Sequence, residues 1–331
     1  MHVLIFGAAG MIGRKLTEHI AETGHLEDDE VTALSLVDVV GAKKPAGFTG
    51  KVAVSATNIA ASGGAELAIA ARPDVIFHLA AIVSGEAETD FEKGYRINLD
   101  GTRNILEAIR REATKSPYRP RFVFASSIAV FGAPLPDLVG DEFFTTPLTS
   151  YGTQKAISEL LLSDYTRRGF LDGIAIRLPT ICIRPGKPNK AASGFFSNIL
   201  REPLAGQEAM LPVAESVRHW HASPRAAVRF LTHSATMDLA PLGARRALTM
   251  PGLTATVGEQ IDALRRIAGE KAVRLIRRER DPAIAKIVEG WPRAFDARRA
   301  LGLGFRPDRS FDEIIRIHIN DELDGRPPVL R

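Results

Sequence analysis

Three side chains of this 331-residue chain stand where their types could move a proton. Tyr151 and Lys155 lie four positions apart in S-Y-G-T-Q-K, so a helix opening at Ser150 would put both on one face. A tyrosine ordinarily loses its proton at a pH of about 10, and working as a base at neutral pH requires a preference for the phenolate of about 4 kcal/mol. A lysine ammonium one helical turn away, in a water-poor cleft, is a source of that preference. Ser127 closes the apolar run R-F-V-F-A-S-S, beside Ser126, and offers a hydroxyl to the same reacting oxygen. Each feature also has a plain reading. Serines stop strands, and most tyrosine–lysine pairs at this spacing are a half-buried ring above a solvated amine.

The plain reading loses ground at the start of the chain, M-H-V-L-I-F-G-A-A-G-M-I-G. The apolar run Val3 to Phe6 ends in glycines at 7, 10 and 13, and residues 11–22 then carry apolar side chains at helical spacing. Gly7 permits a sharp turn, Gly10 lets backbone amides approach a phosphate, and Gly13 lets the helix press on the strand. The free amides at Met11 and Ile12 and the helix dipole favour a pyrophosphate. Asp38 closes the next apolar run, where its carboxylate would accept the adenine ribose hydroxyls and repel a 2′-phosphate. Lys43 and Lys44 come several residues too late to reverse that choice. The expected cofactor is NAD.

Further strands are expected at residues 51–56, 74–79, 121–125 and 174–178, with helices between them. Strand–helix alternation of this kind gives an α/β fold: a doubly wound parallel sheet of the Rossmann type, with a smaller, mainly helical substrate-binding lobe. Its ligands lie beyond the carboxyl ends of the strands. The cofactor contacts expected there are Asn58 and Ile59 at the adenine, Leu79, Ala80 and Ala81 as a close floor, and Asn98 within the long helical stretch 89–113. Pro179 is expected under the nicotinamide, beside Tyr151 and Lys155. His78, in the run V-I-F-H-L, reads as a packed, hydrogen-bonded histidine. The sheet domain is assigned residues 1–181 plus about 225–251, and the lobe about 182–224 plus 252–331. The active site is expected between the two.

Composition is that of an ordinary soluble protein, 45% apolar and 25% charged, with a net charge of +4. The basic excess at residues 265–280 is interrupted by acids and lacks aromatics, which argues for a solvated face and against nucleic acid. The lone Cys182 fits a reducing compartment. No apolar run approaches the roughly 20 residues that span a bilayer. A cytoplasmic protein with no membrane partner and no assigned metal site is expected.

The set G-A-A-G-M-I-G, Asp38, A-S-S-I-A-V-F-G and S-Y-G-T-Q-K, in this order, resembles the extended short-chain dehydrogenase/reductase family, the NAD-dependent epimerases and dehydratases among them. The resemblance implies that Ser127 is the catalytic serine, Tyr151 the proton acceptor and Lys155 the holder of the nicotinamide ribose. It also implies a homodimer through the helices 89–113 and 151–168. Nucleotide-sugar members carry a motif like R-D-F-I-H-V-x-D, whose arginine grips a diphosphate. Here V-R-H-W-H-A-S-P-R keeps Arg218, puts His219 in place of the following acid and Arg225 near the later one. This stretch and the loop R-P-G-K-P-N-K-A-A-S look most like the branch that oxidises the four-carbon sugar acid D-erythronate at carbon 2. Cations for its carboxylate are sought among Arg184, Lys187, Arg218 and His221. The alternatives are a sugar-nucleotide epimerase or dehydratase that retains NAD, and a dinucleotide-sensing regulator without chemistry.

Overall fold

Apolar residues that occur without alternation become strands covered on both faces, because only a sheet flanked by helices hides both. In the computed structural model, which describes residues 1–186 and 192–327, this accounts for His2–Phe6 (β1), whose last four side chains are buried. The helix Met11–Thr23 (α1) follows at once and ends at Gly24, in the left-handed region with φ +71°. Next come Ala33–Asp38 (β2), Lys51–Ala56 (β3) and Val75–His78 (β4). The helix Gly101–Ala113 (α2), Arg121–Ser127 (β5), Ser150–Arg167 (α3), Asp172–Leu178 (β6) and Ala247–Thr249 (β7) complete the frame.

The seven strands form one sheet in the order β7-β6-β5-β4-β1-β2-β3, with parallel pairings at β1–β2, β1–β4, β2–β3, β4–β5 and β6–β7. The order reverses between β1 and β4, and a crevice at the carboxyl ends of those two strands is where such sheets take a ligand. Leu4, Phe6, Ile76, Phe122 and Phe124 pack with Ile105, Leu106 and Ile109 of α2 under one face.

The stretch expected as one helix over 89–113 is broken. Short helices at Ser84–Thr89 and Phe91–Gly94 lead into a wide π-helical turn, Tyr95–Asp100, before α2. Asp90 caps the second piece by accepting the Lys93 amide at 3.0 Å.

The chain divides into two compact units. The first is Met1–Val130, Thr149–Arg177 and Val228–Thr249; the second is Phe131–Leu148, Leu178–Ala227 and Met250–Arg331. The segment Phe131–Leu148, expected with the sheet, goes with the second unit. Within that unit Val139 pairs with Phe295, and the Phe131 and Phe295 rings lie 5.6 Å apart.

The second unit has its own core, where Phe195, Phe196, Ile199 and Leu200 meet Ile261, Leu264, Ile314 and Ile315. Beside its helices it holds a three-stranded sheet, Thr180–Ile181, Arg218–Ala222 and Leu253–Thr256. The late basic run is laid along its surface in ion pairs, Arg265 with Asp262 and Glu270, Arg266 with Asp312, Arg277 with Glu208 and Arg278 with Glu215. No helix among the described residues is long and apolar enough to cross a membrane.

Candidate active site

The turn from β1 into α1 is built by contacts that admit no side chain. Gly7 has φ +89°, and a Cβ placed on it would stand 2.6 Å from the backbone nitrogen of Ala80. A Cβ on Gly13 would lie 2.1 Å from the Gly7 carbonyl oxygen, and one on Gly10 3.3 Å from the same atom. The chains leaving β1 and β4 therefore run against each other at the point where the strand order reverses. Leu79 is held there by its amide, which donates to the Phe6 carbonyl at 2.8 Å, and Ala80 and Ala81 follow half-buried.

The glycine turn is also tied to Asp38. Gly7 donates to the Val37 carbonyl at 2.8 Å, and the Ala9 amide donates to Asp38 Oδ2 at 3.0 Å. The Val39 amide fixes Oδ1 at 2.7 Å. A carboxylate has about four acceptor sites, so the fixed group still accepts a pair of hydroxyls. α1 begins at Met11 and Ile12 behind Gly10, which has no side chain to cap the helix. The first amides of a helix lack partners within it, which suits this turn to an anion. A cradle that a single methyl would fill, followed by a fixed carboxylate, fits an adenine dinucleotide.

At the expected adenine end, Asn58 is exposed and Ile59 is buried. The Asn58 side chain turns back to accept the Ala60 amide at 2.9 Å, and Ile59 is buried against Gly101. Asn98 sits in the π-helical turn, where its amide brackets the backbone of Ile82, accepting from the nitrogen at 2.9 Å and donating to the oxygen at 3.3 Å. It also donates to Gln154 Oε1 at 2.7 Å. The wide turn thus clamps the segment after β4 to α3, one residue before Lys155.

Thr149 caps α3 by accepting the Gly152 amide at 3.0 Å, which fixes where Tyr151 and Lys155 emerge. Lys155 Nζ lies 5.6 Å from the centre of the Tyr151 ring and 4.6 Å from that of Phe124, and donates to the Ala125 carbonyl at 2.8 Å. Its burial pushes the ammonium down to about 7, partly offset by the charge of Glu159. Ser127 ends β5, where its oxygen accepts the Ala129 amide at 3.1 Å. Tyr151, Lys155 and Ser127 all belong to the first unit.

His78 is packed as expected. It lies under Phe6, Phe122 and Phe124, and its Nε2 is 2.8 Å from the Thr102 hydroxyl. That hydroxyl spends its proton on the Asn98 carbonyl, so Nε2 is the donor. Burial first, and the Lys155 charge second, hold the ring neutral with a pKa of about 3.

Two buried residues of this region escaped the sequence reading. Glu159, one turn beyond Lys155, accepts a two-point contact from Arg177 of β6 and a hydrogen bond from Ser126. The signal was present: Arg177 is the lone charge in the buried run I-A-I-R-L.

In the second unit Pro179 is buried, next to Thr180. Arg184 donates from Nε to the Ile181 carbonyl at 3.1 Å and from Nη2 to Ser193 at 3.1 Å. Arg218 lies 3.5 Å from Glu259, which itself accepts the Thr256 amide, and 39% of the Arg218 side chain is exposed. His221 does not serve as a cation. It is fully buried between the Phe196 and Phe311 rings, and desolvation drives its pKa well below 6.5. His219 is likewise neutral, with a pKa of about 4 set by burial, its Nδ1 donating to the Pro292 carbonyl and its Nε2 accepting from Thr180. Lys187 lies outside the described residues. The acid missing near Arg225 is replaced from afar: Ser223 caps the helix Pro224–Thr236 by accepting the Ala226 amide, and Asp308 holds Ser223 through both carboxylate oxygens.

A reversed-order parallel sheet, a glycine cradle and an acid at the end of β2 define a dinucleotide-binding α/β enzyme. The chain belongs to the NAD dependent epimerase/dehydratase family, which matches residues 3–231. Its cofactor is NAD, and it is an NAD-dependent oxidoreductase acting on a CH–OH group. It is 45% identical over 326 residues to the D-erythronate dehydrogenase of Cupriavidus necator, covering 97% of this chain and 98% of that protein. Identity to the D-erythronate dehydrogenase of Haemophilus influenzae is 42% over 323 residues, 98% of this chain and 100% of that one. A crystal structure described as a nucleoside-diphosphate-sugar epimerase from Agrobacterium tumefaciens is 66% identical with a TM-score of 0.96, covering 98% of this chain and 95% of that one. The L-threonine 3-dehydrogenase of Trypanosoma brucei, at 24% identity and a TM-score of 0.84, shares the fold.

Proposed function

We propose that this enzyme oxidises the 2-hydroxyl of D-erythronate to 2-dehydro-D-erythronate. What carries the reading is similarity along nearly the whole chain, lobe included, to two D-erythronate dehydrogenases. Tyr151 takes the proton of the 2-hydroxyl, and Ser127 donates a hydrogen bond to the same oxygen as it becomes a carbonyl. Bound NAD would supply the acceptor for the hydride of carbon 2, giving NADH and the 2-oxo acid. Lys155 holds the nicotinamide ribose and favours the Tyr151 phenolate. Asp38 takes the adenine ribose, and Gly7, Gly10, Met11 and Ile12 frame the pyrophosphate, with Leu79, Ala80, Ala81 and Pro179 as packing. Asn98 acts through Ile82 and Gln154. Asn58 and Ile59 are assigned to the adenine.

A planar carboxylate matches a guanidinium at two points. Arg218 is assigned that contact, because Glu259 engages it at a long distance on an exposed edge, where an ion pair is worth about 0–1 kcal/mol. Arg184, with two of its donors on neighbouring groups, is second. The protein is further read as a cytoplasmic homodimer, with Phe91 and Leu160 exposed on the segments assigned to its contact face.

The name carried by the 66% identical Agrobacterium structure favours a second reading, a sugar-nucleotide epimerase that retains its NAD. Purified protein offered NAD and D-erythronate should accumulate NADH and a 2-oxo acid, and UDP-sugars should yield neither. Conversion of a UDP-sugar with no free NADH, and no reaction of D-erythronate, would replace the first reading by the second.

A further inference from the structure

On the far side of Lys155 from Tyr151 lies a buried ion pair that the chemistry above leaves idle. It joins three elements: Glu159 on α3, Arg177 on β6 and Ser126 on β5. Arg177 grips the carboxylate as a fork, Nε to Oε1 at 3.0 Å and Nη2 to Oε2 at 2.7 Å, and the Ser126 hydroxyl donates to Oε1 at 2.5 Å. All three residues are buried. Charges taken out of water are expensive, and a packed apolar cluster of the same volume often does as well for stability. Charge kept in such a place points to something that needs it.

What it faces is Lys155, one helical turn away and also buried. The groups around this ammonium are Tyr151 and Glu159 from its own helix, His78 from β4 and the Ala125 carbonyl from β5, with Ser126 of β5 and Arg177 of β6 bonded to Glu159. The Phe124 ring lies 4.6 Å away. His78 is neutral, Arg177 is a cation, and of these groups Glu159 brings the negative charge.

We propose that Glu159 is a positioning residue of the reacting centre: its carboxylate, locked by Arg177 and Ser126, sets a fixed anion one helical turn from the Lys155 amine, and holds the strand end bearing Ser127 against α3. Burial lowers the pKa of Lys155 to about 7, and the Glu159 charge is the influence that raises it. Without that charge, the neutral amine takes over at a lower pH. The consequence for NAD rests on the reading of Lys155 as the ribose-binding lysine; the titration itself does not.

Glu159→Gln alone would strand the Arg177 charge, so the variant of choice is Glu159→Gln/Arg177→Met, which removes both charges at similar volume. Lysine side chains of the full chain are followed by NMR across the pH range, with Lys155→Met identifying the Lys155 signal. In the double variant the proton affinity of Lys155 falls about tenfold or more, a downward move of at least about one pH unit. Ser126→Ala keeps the carboxylate charge and leaves the Lys155 titration where it stands in the unaltered protein. An unmoved signal in the folded double variant, or an equal move in Ser126→Ala, overturns the proposal. Should the double variant not fold, Arg177→Lys decides: it loosens the fork but keeps the anion, so Lys155 titrates at the same or a higher pH, and a fall contradicts the proposal. NAD titrations separate the two claims. If the Lys155 signal moves and the pH above which NAD binding weakens does not, Glu159 tunes the lysine and the ribose assignment of Lys155 is wrong.

Discussion

The two units hold their polar groups in opposite ways. In the first, main-chain geometry does the work. Gly7 abuts Ala80, Gly13 abuts Gly7, Ala9 holds Asp38 and the Ala125 carbonyl holds Lys155, so each group is fixed by backbone that cannot be elsewhere. In the second, the cationic candidates engage partners of their own unit. Arg218 meets Glu259, Arg184 meets Ser193 and the Ile181 carbonyl, and His221 is buried between phenylalanine rings. A cofactor is the same molecule in every member of a family, so its site can be cast in backbone. A substrate changes from member to member, and its site is written in side chains that exchange at small cost. Substitutions in the first unit should therefore remove a whole function, and those in the second should only retune one.

The largest effect is expected at Tyr151. Tyr151→Phe removes the oxygen to which the proposal assigns the proton and nothing else, so turnover should fall about 10²–10⁴-fold. NAD affinity, followed by quenching of protein fluorescence, stays nearly constant. More than about a tenth of the original turnover would mean that another group takes the proton.

Next comes the cradle. Gly7→Ala must both force a side chain into a positive φ and push Ala80 aside, at a cost of about 2–4 kcal/mol in stability. NAD binding should weaken at least about tenfold, or about 1.4 kcal/mol. Gly24→Ala is the control. It shares the positive φ, at +71°, but its Cβ would meet nothing within 4 Å. Strain alone costs about 1–2 kcal/mol there, with NAD affinity unchanged. Equal losses of NAD affinity in the two variants would show that strain, and not close approach, makes these glycines necessary.

The smallest change is expected in the second unit. Arg218→Lys keeps the charge and loses the two-point geometry, raising KM for D-erythronate about tenfold with little change in kcat, or about 1.4 kcal/mol. If kcat falls instead by as much as in Tyr151→Phe, Arg218 takes part in the chemistry and the contrast between the units fails.

The same contrast explains what could be read from the sequence. β3 coincides with the expected 51–56, and α1 and α3 begin at the expected residues, because runs of buried residues between glycine and capping signals admit few alternatives. The short strands of the second unit carry no such pattern. Val139–Gly140 pairs with Phe295–Asp296, and two residues cannot announce a partner so far along the chain. His221 looked like a charge because its type allows one. Only the rings around it decide that it is neutral. Asn98 was placed in a regular helix, and the wide turn that lets it reach Ile82 has no sequence signature of its own. Arg177 and Glu159 were visible as charges on apolar elements, but which charge would meet which depends on how α3 lies on the sheet.

The central claim is that a hydride leaves carbon 2 of a small sugar acid and departs with the cofactor. D-erythronate bearing deuterium at carbon 2 tests it in one reaction with excess NAD, the reduced cofactor being weighed by mass spectrometry. The account predicts free reduced cofactor carrying one deuterium per molecule, beside an equal amount of 2-dehydro-D-erythronate. Reduced cofactor without deuterium would place the oxidation at another carbon, and deuterium returned to the sugar acid with no free NADH would make this chain an epimerase.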